Sequence, residues 1–281
     1  QQRSLEDVMN EAISWIRLVP GLLAASVGVA AAVGWQRRAR APFSAQAIGG
    51  AAWAVSVALK FAWAIPTNGA VHHALLGLLG SRIAEPLYWS YIGLLTGVFE
   101  VGATLAVVRG SRLRRAERAE ALAFGVGFGA AEAVVVGLLG IAPVALMLLA
   151  PGLLPHQAQE ALTHAFGGPV GFGSVVFPPL ERASALVIHV VTCAVVIHGF
   201  RVGRPWAWFG VAFAYKSAVD AVAAWAILSF GVTHSNAKLA AFELGLAVFA
   251  IASAWALRYL LRTPRASAPV VGAAPVASAA S

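Results

Sequence analysis

Apolar residues run through this chain in long blocks, and short polar, arginine-bearing loops separate the blocks. Seven blocks are long enough to cross about 30 Å of hydrocarbon as helices. They cover 13–35, 43–66, 87–108, 120–150, 179–200, 205–231 and 238–262. None shows the two-residue alternation of a membrane β-barrel strand. Lipid offers backbone N–H and C=O groups no water to bond, so runs of this length fold as helices. The pattern predicts an all-α, polytopic membrane helix bundle with about seven transmembrane helices. Pro143 lies inside the long fourth run and predicts a kink or a break there.

Two shorter segments read differently. Residues 70–81, AVHHALLGLLGS, are too short to span and predict an interfacial or re-entrant helix. Residues 151–178 hold a short amphipathic piece followed by a Gly- and Pro-rich stretch. Each is a candidate lid or a plain connector. The first run is too long for a signal-peptide core and is followed by Gln36, Arg37, Arg38 and Arg40, which predicts a retained span. The domain reading is therefore a short extracytoplasmic N-terminal segment, 1–12, a transmembrane helical domain, 13–262, and a disordered cytoplasmic tail, 263–281. That tail is rich in Ala, Pro and Ser and has no pattern that could pack.

Composition agrees with the membrane reading. Apolar residues make up 59% of the chain and charged residues 11%, with a mean hydropathy of +0.78; a soluble domain is about half apolar and a quarter charged. The net charge of +8 lies in alternate loops. Arg37, Arg38 and Arg40 occupy the first. Arg109, Arg112, Arg114, Arg115 and Arg118 occupy the third, Arg201 and Arg204 the fifth, and Arg262 and Arg265 stand at the chain end, where the last run closes. The other loops are poor in base. Basic loops stay in the cytoplasm, so the N-terminus is expected outside and the C-terminus inside. The arginines would also attract anionic membrane lipid, and no nucleic-acid module is recognisable. High Ala, Gly and Arg content suits a bacterial inner membrane. Cys193, the one cysteine, can form no internal disulfide and reads as a small core hydrophobe.

Five ionisable residues stand near the middle of their runs: Glu100, Glu132, His189, Lys216 and Asp220. A charge at the bilayer centre costs at least about 2.5–3.5 kcal/mol on insertion scales, so such residues face the bundle interior. Lys216 and Asp220, four residues apart, face the same way on one helix. They form a structural ion pair or part of a site. His189 is a hydrogen-bonded core residue or a ligand. Glu100 and Glu132 have no partner in their own helices and need a proton, a metal or a cation from elsewhere. Lys60, Glu181, Arg182 and Glu243 are expected nearer the ends of their runs, where water reaches them. Small residues around Glu132, with glycines at 125, 127, 129, 137 and 140, allow close helix packing or leave room for substrate.

Together these stretches resemble the YhfC family of intramembrane peptidases, distant relatives of the CAAX-type glutamate/histidine membrane proteases. The resemblance covers most of the spanning region. A GHGxxEA-like pattern stands here as Gly127-Phe128-Gly129-Ala130-Ala131-Glu132-Ala133. An ER…A…H helix stands as Glu181-Arg182, Ala185 and His189. An HxxxD-like pattern stands as Lys216 to Asp220, and a GxxxGxFEE-like pattern runs from Gly93 through Gly97 to Glu100 and Val101. Phe128 and Lys216 thus replace two expected histidines, and Val101 a second glutamate. The resemblance implies cleavage of a membrane-protein or peptide substrate, with Glu132, His189, Glu100, Asp220 and Lys216 as the catalytic set. No cofactor follows from the residues. A divalent metal such as zinc would have to use Glu100, Glu132 and His189, beside a lysine that repels it.

Three functions remain open from the sequence. One is an intramembrane peptidase. Another is a catalytically inactive homologue that binds a transmembrane protein, as a scaffold or partner subunit. The third is a small transporter. A retinal protein is excluded, because the last run has no mid-membrane lysine for a Schiff base.

Overall fold

A long apolar segment in lipid satisfies its backbone within itself, and the chain does this seven times. In a computed structural model, residues 14–39, 41–166 and 170–262 are described. The N-terminal segment 1–12 and the tail 263–281 lie outside the described residues. The spans are α1 (Trp15–Ala39), α2 (Phe43–Leu79), α3 (Ser81–Gly110), α4 (Arg118–Leu149), α6 (Phe172–Arg201), α7 (Pro205–Phe230) and α8 (Asn236–Leu260). The short helix α5 (His156–Phe166) lies between the fourth and fifth spans. Among the described residues there is no strand. The chain is a multi-pass membrane helix bundle.

Three boundaries differ from expectation. Residues 70–79 form no separate re-entrant piece; α2 continues through Pro66 to Leu79 and stops at Gly80, whose φ of 69° favours glycine. The third span starts at Ser81, before the expected 87. The Gly/Pro-rich stretch is helical from Phe172, so the fifth span starts before Pro178 and Pro179 and carries both. Pro143 likewise does not break α4. Neighbouring helices and local adjustment let membrane helices carry proline. These extensions change depths. Lys60 and Arg182 move from the expected ends toward the middles of their helices.

The fifth span, α6, is the centre of the bundle: 72% of its most apolar stretch is buried, against 11% for α8 at the edge. Helix α4 packs on α1, α2 and α6, α3 packs on α7, and α8 leans on α6. Glycines set the distances. A Cβ at Gly127 would fall 2.0 Å from the Gln46 carbonyl oxygen of α2. Cβ atoms at Gly125 and Gly129 would fall 2.8 and 2.9 Å from α6 backbone carbons. Alternating glycines thus press α4 onto helices on two sides. Gly93 and Gly97 do the same between α3 and α7, where an added Cβ would lie 2.2 Å from Ser217 atoms.

Gly127→Ala should therefore destabilise the fold by about 1–3 kcal/mol, the usual range for overpacking. Gly69→Ala should not, since nothing lies within 4 Å of a Cβ there. Thermal unfolding in detergent compares the two, and equal melting temperatures would contradict the close approach of α2 and α4.

Candidate active site

The interior of the bundle is crossed by a chain of charged groups, and the close helix approaches place them. Glu100 lies in a π-helical turn, Gly97–Val101, within α3. Such turns add a residue to the helix and are frequent at functional sites. Its carboxylate is 3% exposed and meets cations from two other helices. Lys60 Nζ of α2 lies 2.5 Å from Oε1, and Lys216 Nζ of α7 lies 3.3 Å from Oε2. Lys216 also holds Asp220 Oδ2 at 2.6 Å, one turn along its own helix. A buried ammonium between two carboxylates is the arrangement that makes its burial tolerable.

Glu132 of α4 is the second centre. Its Oε1 accepts Arg182 Nη1 at 2.7 Å. Its Oε2 lies 2.7 Å from His189 Nε2 and accepts Trp53 Nε1 at 3.1 Å. Arg182 extends its other nitrogens to Glu181 on its own helix. His189 joins the two centres: its Nε2 faces Glu132, and its Nδ1 lies 3.9 Å from Glu100 Oε2. That oxygen is buried without a hydrogen-bond partner. The Phe128 ring packs on the imidazole with centroids 5.1 Å apart.

The five sequence-predicted residues therefore form one connected line: Asp220, Lys216, Glu100, His189, Glu132. Lys60 and Arg182, expected at water-accessible depths, belong to it as well, and that expectation is corrected. The physical reason is span length, because both helices extend a turn or more beyond their expected ends. Arg182 also stands seven residues, about two turns, before His189. That spacing puts both on one face and was the available signal. Trp53 gave none. An indole in an apolar run reads as lipid-facing or core until its neighbour is known. Cys193 is buried, as expected, with Thr104 Oγ1 3.8 Å from its sulfur.

A cavity of about 260 Å³ opens beside this line. Glu132, Glu181, Arg182, His189, Lys216, Asp220 and Glu243 bring charged or titratable groups to its wall, and apolar residues of α6, α7 and α8 complete it. Glu100 does not reach it. The cavity extends toward Val232 and Thr233, in the connection between α7 and α8. The cluster thus offers carboxylates to take a proton, an imidazole, and two fixed cations beside a space that can hold substrate.

A family model described as YhfC intramembrane metalloprotease matches residues 23–241. No curated protein and no solved structure matches the chain.

That description implies a metal, and the residues can be tested against one. Ligand atoms of Glu100, Glu132 and His189 lie within 4.8 Å of one another. Atoms at those separations can reach one ion, but both carboxylates are already held by cations of the chain, Lys60 and Lys216 on Glu100 and Arg182 on Glu132. Structural and catalytic zinc sites need at least three protein ligands around one point. Lys216 Nζ stands 3.3 Å from the glutamate oxygen such an ion would use. An ion there would have to displace these cations, so the side chains as they are paired here do not fit the implied metal.

Lys216→Leu should lower stability by about 3–5 kcal/mol, the cost of stranding a buried charge partner. Lys216→Leu combined with Asp220→Leu should recover part of the loss. Melting in detergent measures both, and a wild-type profile for the single variant would show that the ammonium is not a structural counter-charge.

Proposed function

We propose that this chain, which belongs to the YhfC intramembrane metalloprotease family, hydrolyses a peptide bond of a membrane-embedded substrate at Glu132 and His189 without a bound metal. One observation carries the reading. Glu132 is the carboxylate that both contacts His189, at 2.7 Å, and lines the cavity. Glu100 has no opening to that space and serves as the counter-charge of Lys60 and Lys216.

The chemistry follows from these positions. A water in the cavity gives a proton to Glu132 as its oxygen bonds to the substrate carbonyl carbon. The proton then passes to the departing amine as the C–N bond breaks. His189, Arg182 and Trp53 fix the glutamate's orientation, so little rearrangement is needed at the reacting atoms. Lys216 faces the same cavity and meets negative charge as it develops on the carbonyl oxygen. Asp220 holds that ammonium in place. With the basic loops in the cytoplasm, the connection toward which the cavity extends lies on the extracytoplasmic side of a bacterial inner membrane.

A second reading rests on its own observation. Each carboxylate of the line already carries a cation: Lys60 and Lys216 on Glu100, Arg182 on Glu132, Lys216 on Asp220. A glutamate so engaged has less to offer a water. The same fold would then bind a transmembrane partner without cleaving it.

Cleavage of single-span peptides in proteoliposomes decides between them. Glu132→Gln should lower the rate by about 10²-fold or more, the range for a lost general base. A zinc chelator should leave the wild-type rate unchanged. Loss of activity on chelation with recovery on added zinc would overturn the metal-free mechanism. Equal rates for wild type and Glu132→Gln would remove Glu132 from the reaction. No cleavage of any peptide, with binding retained, would favour the partner-binding reading.

A further inference from the structure

Glu243 is a buried acid that the proposed reaction leaves unused. It lies in α8, beyond the residues matched by the family model, and is 5% exposed. Its Oε2 is buried with no hydrogen-bond partner, and among the described residues no basic group lies within 4.0 Å of it. It lines the same cavity as Glu132 and Lys216. A carboxylate walled off from water without a partner is costly. One that faces a cavity can take its partner from whatever occupies that cavity.

Beside it the bundle has a lateral opening. Helix α8 leans on α6, while the backbones of α7 and α8 stay apart. Between them runs a groove of about 460 Å³ with almost wholly apolar walls. The stack of Tyr215 on Phe249, centroids 5.6 Å apart, crosses between the two helices. Val219, Phe242 and Leu246 belong to both the groove and the polar cavity. The groove therefore adjoins the candidate active site, with these three side chains between them. Val222 on its lip is 52% exposed toward lipid. Glu243 lies seven residues from the start of α8, about 10 Å along the helix. A basic side chain at the membrane boundary of a neighbouring span can reach that depth by extending its stem.

We propose that α7 and α8 form a lateral gate for a transmembrane peptide segment, and that Glu243 selects segments carrying a lysine or arginine at that boundary. The apolar part of the segment lies in the groove, and its cation completes the pairing of Glu243. This inference rests on the peptidase reading for the identity of the occupant, but it concerns binding and can be tested without turnover.

The test is photo-crosslinking of the full chain in nanodiscs, with a benzophenone amino acid at Val222 and a control at Val29, on the exposed face of α1. The probes are single-span peptides that differ only in one boundary residue, Lys or Gln. The lysine peptide should label from Val222 and not from Val29. Its glutamine counterpart should label about tenfold less or weaker still, as expected when one partner of a buried charge pair is lost. Glu243→Gln should remove the preference while keeping the melting temperature. The peptide substitution tests the same pairing even if that variant fails to fold. Equal labelling of both peptides, or labelling of lipid alone from Val222, would overturn the proposal. Selective labelling with no cleavage would overturn the hydrolytic reading and leave the gate standing.

Discussion

An ionised side chain inside hydrocarbon must be met by an opposite charge or a set of hydrogen bonds, and this bundle is organised around that demand. Glu100 draws Lys60 from α2 and Lys216 from α7. Glu132 draws Arg182 and His189 from α6 and Trp53 from α2. Five helices are thereby tied through two carboxylates. Hydrophobic burial cannot do this work between membrane helices, because lipid tails are as apolar as the residues they would replace. The polar contacts also fix which face of each helix points inward.

Such contacts act only over a few ångströms, so they depend on how closely the helix axes approach. Glycine supplies that approach. Alternating glycines on α4 press it against α2 on one side and α6 on the other, which brings Trp53 and His189 to the same carboxylate. Gly93 and Gly97 bring α3 to α7, and the π turn that follows directs Glu100 at Lys216. Stability and candidate chemistry therefore rest on the same side chains. A change that loosens the packing would disperse the site, and a change at the site would leave a stranded charge.

Lys216 decides the character of the cluster. An ammonium is a compact single charge with three donors and no vacant orbital. Placed between Glu100 and Asp220, it balances charge and can donate hydrogen bonds, but it cannot polarise a carbonyl as a metal ion does. With Phe128 against His189, the neighbourhood where a metalloprotease would gather ligands is filled by an aromatic ring and a cation. The family model's match runs from α1 into α8, while the carboxylates a metal would need are here engaged by Lys60, Lys216 and Arg182.

Hydropathy alone determined the class of the molecule. Seven long apolar runs had no alternative to helices, and Glu100, Glu132, His189, Lys216 and Asp220 could be singled out because each sat deep in a run that tolerates few charges. Helix ends were less legible. An interior proline or a Gly-rich stretch reads as a break in sequence, yet neighbouring helices let α2 continue to Leu79 and α6 begin at Phe172. The depths of Lys60 and Arg182 were misjudged for that reason. Pairing was not legible at all, except for Lys216 with Asp220, one turn apart on the same helix. Which cation meets which glutamate, whether two carboxylates share one side of an imidazole or face opposite sides, and where α7 and α8 part to leave Glu243 facing a cavity all depend on distances between helices. A linear pattern fixes rotation and depth along one helix; only tertiary packing fixes the separation between two.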